Sequence, residues 1–381
     1  MIGAAITYVF RFIPLLLSTL ITLLSFIPAN HERLEEDIVS QLEHISALEQ
    51  AYENGEIAPI DESAFFAGDL YAELEAGIKF NEISFIGTHN SYQSATTETY
   101  QKLFNNLDYL TFGLVSEELS QFENESLTDQ LNCGIHSFEM DVEVFDRDGE
   151  ISFTCMHSPH LDMTTTCYDF SLGLKEIAMW SDNNPDHLPV TILVEPKNSF
   201  IPLEDMKALN MDYMTMFEEM LRETLGDKLF TPADMLRDYE SFGEMRAADD
   251  WCKVSDMLGK VVILLHEGNV TEDYIDLDPT IRSQAMFPML RYKDVDRDCA
   301  SFILMNDPNE VLNHNSEVIH EKNIIVRTMS DSYASFSQEK IDTAFEGDAQ
   351  IVSTDYPPKT DPDNDNHVVL FDGYATVRKV S

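Results

Sequence analysis

Short apolar runs rich in β-branched residues alternate along the chain with longer stretches whose apolar residues recur every three or four positions. The runs are Ile83–Gly87, Ile135–Val144, Ile151–Met156, Val190–Glu195, Lys260–Leu265, Ser301–Met305, Ile324–Thr328 and Gln350–Thr354. Runs of this length that stop at turn residues read as strands buried on both faces. The helical periods between them, such as Leu172–Trp180 and Met211–Leu225, read as crossovers. Strand–helix alternation predicts a parallel sheet, and eight such strands predict an α/β fold closed as a TIM-type (β/α)8 barrel. The stretch from Asn198 to Leu258 exceeds a simple crossover and predicts an added helix or lid.

Before the first run the pattern changes twice. Residues 1–28 are apolar with Arg11 as their one charge, which fits a secretory signal peptide or a membrane anchor. From His31 to Asn54 the chain is acidic and helical in period. Leu34, Ile38, Leu42, Ile45 and Leu48 fall on one face, and Pro59 is the expected stop. The predicted organisation is therefore an apolar leader at 1–28, an acidic helical extension at 29–78 that packs on the main domain, and a catalytic barrel at 79–381.

Charge narrows the partners. The 381 residues hold 24 Lys+Arg against 69 Asp+Glu, a formal net charge of −45. Nucleic-acid binding needs clustered positive charge and is excluded on this balance. An anionic membrane surface repels such a chain at low salt. The leader places the remainder outside the cytosol, secreted or membrane-anchored, and the sequons at Asn124 and Asn269 are compatible with export. Five cysteines allow one or two disulfides there. None forms a C-x-x-C pair, so a zinc or redox motif has no support.

Polar residues gather where the runs end. The first ends in His89-Asn90. The second carries Glu139 and Asp141, which period two puts on one face. The third ends in His157, and the fourth in Glu195 and Lys197. Two acids side by side on an inner barrel face repel unless a cation lies between them. Asn90, Glu139, Asp141 and Glu195 supply the oxygen ligands that a hard cation such as Ca2+ prefers. That leaves His89 and His157 for proton transfer, one as base and one as acid. Lys197 could pair with a phosphate or with a ligand carboxylate. Two histidines, an oxygen-ligated cation and a lysine suit the cleavage of a phosphodiester.

At these residues the sequence resembles the calcium-dependent phosphoinositide branch of the phosphatidylinositol-specific phospholipase C superfamily. The matching pieces are Gly87-Thr88-His89-Asn90-Ser91-Tyr92, Gly134 through Val142, His157 with Thr165-Thr166-Cys167, Asn184 through Lys197, Val326-Arg327-Thr328 with Asp331, and Ala349 through Pro357. The resemblance implies hydrolysis of inositol phospholipids at a membrane surface, to diacylglycerol and inositol phosphate. It implies Ca2+ as cofactor and no obligate protein partner. By motif, His89 stabilises the pentacovalent phosphorus and His157 serves the proton transfers. Arg327, Asp331, Ser353 and Tyr356 become candidates for the inositol and phosphate. One departure is Gln93, where a further histidine is common in this branch. The nearest rival is a glycerophosphodiester phosphodiesterase, whose first strand typically ends His-Arg-Gly rather than His-Asn-Ser. A catalytically silent barrel serving as a binding protein is the rival of another class.

Overall fold

A computed structural model describes residues 32–111, 123–159, 162–199, 202–331, 336–361 and 367–380. The apolar segment 1–28 lies outside the described residues. Eight strands are labelled here in chain order: β1 (Ile83–Thr88), β2 (Ser137–Arg147), β3 (Val190–Pro196), β4 (Val261–Leu265), β5 (Phe287–Arg291), β6 (Phe302–Leu304), β7 (Ile325–Met329) and β8 (Ile351–Thr354). Each pairs in parallel with the next, and β8 returns to β1. The ring closes between β1 and β2 through a single pair, Gly87 with Ser137. A Cβ on Gly87 would lie 2.7 Å from Ser137 Cβ and 2.8 Å from Ser137 O, so this close approach requires glycine. Gly87 is thus an interior residue of β1, not its boundary. Below the mouth the interior is filled by side chains such as Phe138, Leu193, Leu264 and Met289, leaving about 10 Å³. This is a packed core and not a pore.

The barrel predicted from the sequence is present, with two changes among its strands. Glu150–Cys155 pairs antiparallel with β2, so the run ending at His157 is the return of a hairpin outside the ring. The eighth barrel strand is instead β5. Its interior Pro288 donates no backbone hydrogen bond, and proline within a run argues against a strand. The segment between β3 and β4 holds the helices Met211–Leu225, Pro232–Leu236 and Phe242–Ala247, together with the short strand Met206–Lys207, which pairs with β2.

The amino-terminal extension opens with a helix over residues 32–53 and continues through a short turn of helix, Glu62–Phe65, to a second helix, Leu70–Ala76. The first helix ends at Gly55, whose φ of +67° is the left-handed turn that glycine adopts freely, rather than at Pro59. It lies along the helix Phe170–Asn183. His44 Nε2 meets Glu176 Oε1 at 3.1 Å, and Gln41 bonds the backbone of Asp169. On the predicted apolar face Ile45 is buried and Leu34, Ile38 and Leu48 are half-buried, while Leu42 departs from it at 53% exposed. The buried positions are Asp37, Gln41 and Ile45. Among the described residues, no helix is long and apolar enough to cross a membrane. All five cysteines are free thiols, so the expected disulfides are not formed.

Candidate active site

The carboxyl ends of β1, β2, β3, β7 and β8 bring most of the expected residues to one mouth. After β1 the chain turns sharply. Ser91 N donates to Glu139 O at 2.9 Å, and Glu139 N donates to Ser91 Oγ at 2.8 Å. Asn90 sits at the turn with φ +45°, a left-handed conformation that asparagine tolerates better than most residues. Asn124 Nδ2 donates to the carbonyls of His89 (3.2 Å) and Asn90 (2.9 Å). Asn124 is buried, so its amide is committed to this turn and the sequon there is closed to a glycan. Asn269 is exposed.

Glu139, Asp141 and Glu195 converge, each offering an oxygen within 4.8 Å of the others. Tyr92 OH donates to Asp141 Oδ2 at 2.8 Å and lies 3.5 Å from Asn90 Oδ1, which puts the Asn90 amide beside the acids. Lys197 Nζ is 2.7 Å from Glu195 Oε1 and 3.0 Å from Asp141 Oδ2. Asp141 Oδ1 is buried without a hydrogen-bond partner. Such an atom is costly to leave unsatisfied. An oxygen-ligated cation at Asn90, Glu139, Asp141 and Glu195 would satisfy it, so the donor set fits Ca2+.

The charges depend on one another. Burial pushes the Asp141 carboxyl above its ordinary value, against the pull of Lys197. Burial acts the same way on Glu139, but Arg327 and His89 outweigh it and hold Glu139 below its ordinary value. Arg327 is buried, pairs with Glu139 Oε2 and Asn306 Oδ1, and donates to Ser353 Oγ at 3.1 Å. Burial works against the Lys197 ammonium, yet Asp141 and Glu195 keep its pKa above the usual lysine value.

His89 Nδ1 lies 2.7 Å from Asp355 Oδ1. Burial disfavours its cation, but the carboxylates of Glu139 and Asp355 prevail and push its pKa up to about 9. His157 is 38% exposed and its Nδ1 is 3.7 Å from Asp162 Oδ2. The Asp162 carboxylate raises its pKa above the ordinary 6.5, with burial opposing. The charge of His157 is felt at Asp141 and that of His89 at Glu139. Both histidines thus lie within electrostatic reach of the acid cluster.

Other candidates stand differently. Asp331 is fully buried, accepting from Asp355 N at 2.8 Å and from the hydroxyls of Ser330 and Thr354. It holds Asp355 in place rather than facing the mouth. Tyr356 packs with Phe336 and His367 at the rim, with ring centroids 5.4 and 6.1 Å away. Three groups received no role from the sequence. Asp355 orients His89, Tyr92 bridges Asn90 and Asp141, and His266 Nε2 approaches Glu195 Oε2 at 3.9 Å. His266 and Asp355 each stood at a predicted strand end, which was the available signal. Beside the mouth is a cavity of about 470 Å³ lined by His266, Glu267, Arg291, Tyr292, Asn306 and Asp307. A slightly larger one, about 510 Å³, lies at the opposite end of the barrel near Glu62 and His187 and shares no residue with the site.

The chain matches the family described as phosphoinositide phospholipase C, Ca2+-dependent, over residues 78–153 and 146–380. Among solved structures it resembles the calcium-dependent phosphoinositol-specific phospholipase C of a Pseudomonas species. Identity there is 16%, with a TM-score of 0.56 over 84% of this chain and 100% of that one. It also resembles the Ca2+-dependent phosphatidylinositol-specific phospholipase C of Streptomyces antibioticus, at 15% identity and a TM-score of 0.52 over 73% of this chain and 95% of that one. No curated protein matches the chain closely enough to count as a relative.

Proposed function

The chain belongs to the Ca2+-dependent phosphoinositide phospholipase C family, phosphoric diester hydrolases, and on that premise we propose that it cleaves phosphatidylinositol-type lipids to diacylglycerol and inositol phosphate. The observation that carries this reading is the convergence of Glu139, Asp141 and Glu195 within 4.8 Å, in electrostatic reach of two histidines that each sit beside a carboxylate. Asn90, Glu139, Asp141 and Glu195 would hold Ca2+, which when bound would supply Lewis acidity for an attacking hydroxyl and for the negative charge on the phosphoryl oxygens.

The remaining work falls to side chains. The inositol 2-hydroxyl forms the new P–O bond and loses its proton to one histidine as the P–O bond to glycerol breaks. The glycerol oxygen gains a proton from the other. Water then opens the cyclic phosphate by the reverse sequence of proton transfers. His89, oriented by Asp355, suits the donor to phosphoryl oxygen. His157, more exposed, suits proton exchange with substrate and water. The cavity lined by His266, Arg291 and Asn306 has room for the inositol ring. A site of action outside the cytosol accords with the apolar leader at 1–28.

The test is release of water-soluble inositol phosphate from phosphatidylinositol vesicles, followed by ³¹P NMR. A chelator should abolish it, and His89→Ala and His157→Ala should each lose turnover by about 10²- to 10⁴-fold while folded. Activity that survives chelation would remove the metal from the reading. Preference for glycerophosphoinositol over the lipid would favour the glycerophosphodiesterase rival.

A further inference from the structure

The helix over residues 32–53 contributes nothing to the site directly, yet its buried polar side chains bond a segment that borders it. Of its three buried positions, two are polar. A helix added for stability alone would bury an apolar stripe, since polar groups recover little on burial beyond the bonds they make. Asp37 Oδ2 accepts from Thr165 N at 3.0 Å. Gln41 Oε1 accepts from Asp169 N at 2.8 Å and its Nε2 donates to Asp169 O at 2.9 Å. These bonds fix both ends of segment 165–169. That segment is bound on its other side to the catalytic turn, because Thr166 N donates to Tyr92 O at 2.7 Å. Three residues ahead of it stands Asp162, the carboxylate beside His157. Gln93 Nε2 donates to Asp162 Oδ1 at 3.0 Å and to Thr164 Oγ1 at 2.8 Å.

A second strut leaves the same helix. His44 bonds Glu176 Oε1, the oxygen that also accepts from Thr128 N at 2.7 Å. Thr128 lies in the first turn of the short helix Leu127–Asn132, whose Gln130 ties to Ser91 O and Thr88 Oγ1, each at 2.8 Å. The two struts thus reach the surroundings of both histidines.

We propose that helix 32–53 is a clamp on the active site, with Asp37 and Gln41 as positioning residues for His157 that act by fixing segment 162–169. The inference rests on reading His157 as catalytic. Displacing a catalytic group by an ångström costs about 10²-fold in rate, so loosening this segment acts on turnover before it acts on affinity.

The experiment uses the full chain on phosphatidylinositol vesicles, with kcat, KM, the calcium midpoint and Tm measured together. Gln41→Ala and Asp37→Ala should lower kcat by about 10- to 100-fold, leaving KM and the calcium midpoint within about twofold. Asp37→Asn retains an acceptor for Thr165 N and should restore most of the lost rate. The clamp is overturned if both alanine variants, folded at the assay temperature, keep kcat within about twofold of the parent. It is equally overturned if Asp37→Asn is as impaired as Asp37→Ala. His157→Ala runs alongside. If it is inactive while Gln41→Ala is normal, the clamp alone fails; if it is active, the catalytic reading fails and takes the clamp with it.

Discussion

Asp141 shows how one residue is shaped by its neighbours: Tyr92 and Lys197 hold one oxygen, and the other has no hydrogen-bond partner. A hydroxyl that braces a ligand from outside the coordination shell commonly changes metal affinity by about 10- to 100-fold. Tyr92→Phe, which keeps the ring and removes only that brace, should raise the calcium midpoint for thermal stabilisation by about tenfold. An unchanged midpoint in calcium-titrated unfolding would show that Asp141 needs no such support. The carboxylates were legible in the sequence because strand alternation alone puts Glu139 beside Asp141. Asp355 and Tyr92 were not. Their roles depend on which loop lies across the mouth, and that is set by pairings between residues far apart in the chain. Asp331 was legible as a strand-end acid, but its burial under Asp355 follows from the β7–β8 packing.

At the scale of elements, the hairpin and the extension departed from the reading for opposite reasons. Glu150–Cys155 has the composition of a barrel strand, and composition does not specify pairing direction. The helix 32–53 and most of its docking face were recognisable by period, but the buried places of Asp37 and Gln41 on that face were not, because they bury backbone-binding groups where hydropathy marks solvent. This docking should depend on pH. The bond to Glu176 raises the His44 pKa above its ordinary 6.5, with burial opposing. A histidine with a raised folded-state pKa contributes stability that is fully present below 6.5 and is lost as pH rises through the folded value. Tm should therefore fall across that window more in the parent than in His44→Gln. Parallel curves for the two proteins would show that this ion pair contributes nothing to the docking.

For the whole molecule, the net charge of −45 meets a lipid substrate that is itself anionic. Repulsion between exposed charges is screened over about 10 Å at 0.1 M salt. Turnover on vesicles rich in acidic carrier lipid should rise with added sodium chloride, and turnover in a zwitterionic carrier should change little. Equal salt responses in the two would mean that the mouth faces lipid through a locally neutral surface, whatever the total charge. The barrel itself was legible in the strand–helix rhythm; the way it closes was not. Most neighbouring strands share several residue pairs, whereas β1 and β2 share one, at Gly87 and Ser137. Asn90 follows β1, and Glu139 and Asp141 belong to β2. The proposed ligands thus stand on both banks of the most sparsely stitched seam. An ion gripped by all of them would weld that seam shut, and the barrel would owe part of its roundness to the same atom that serves its chemistry.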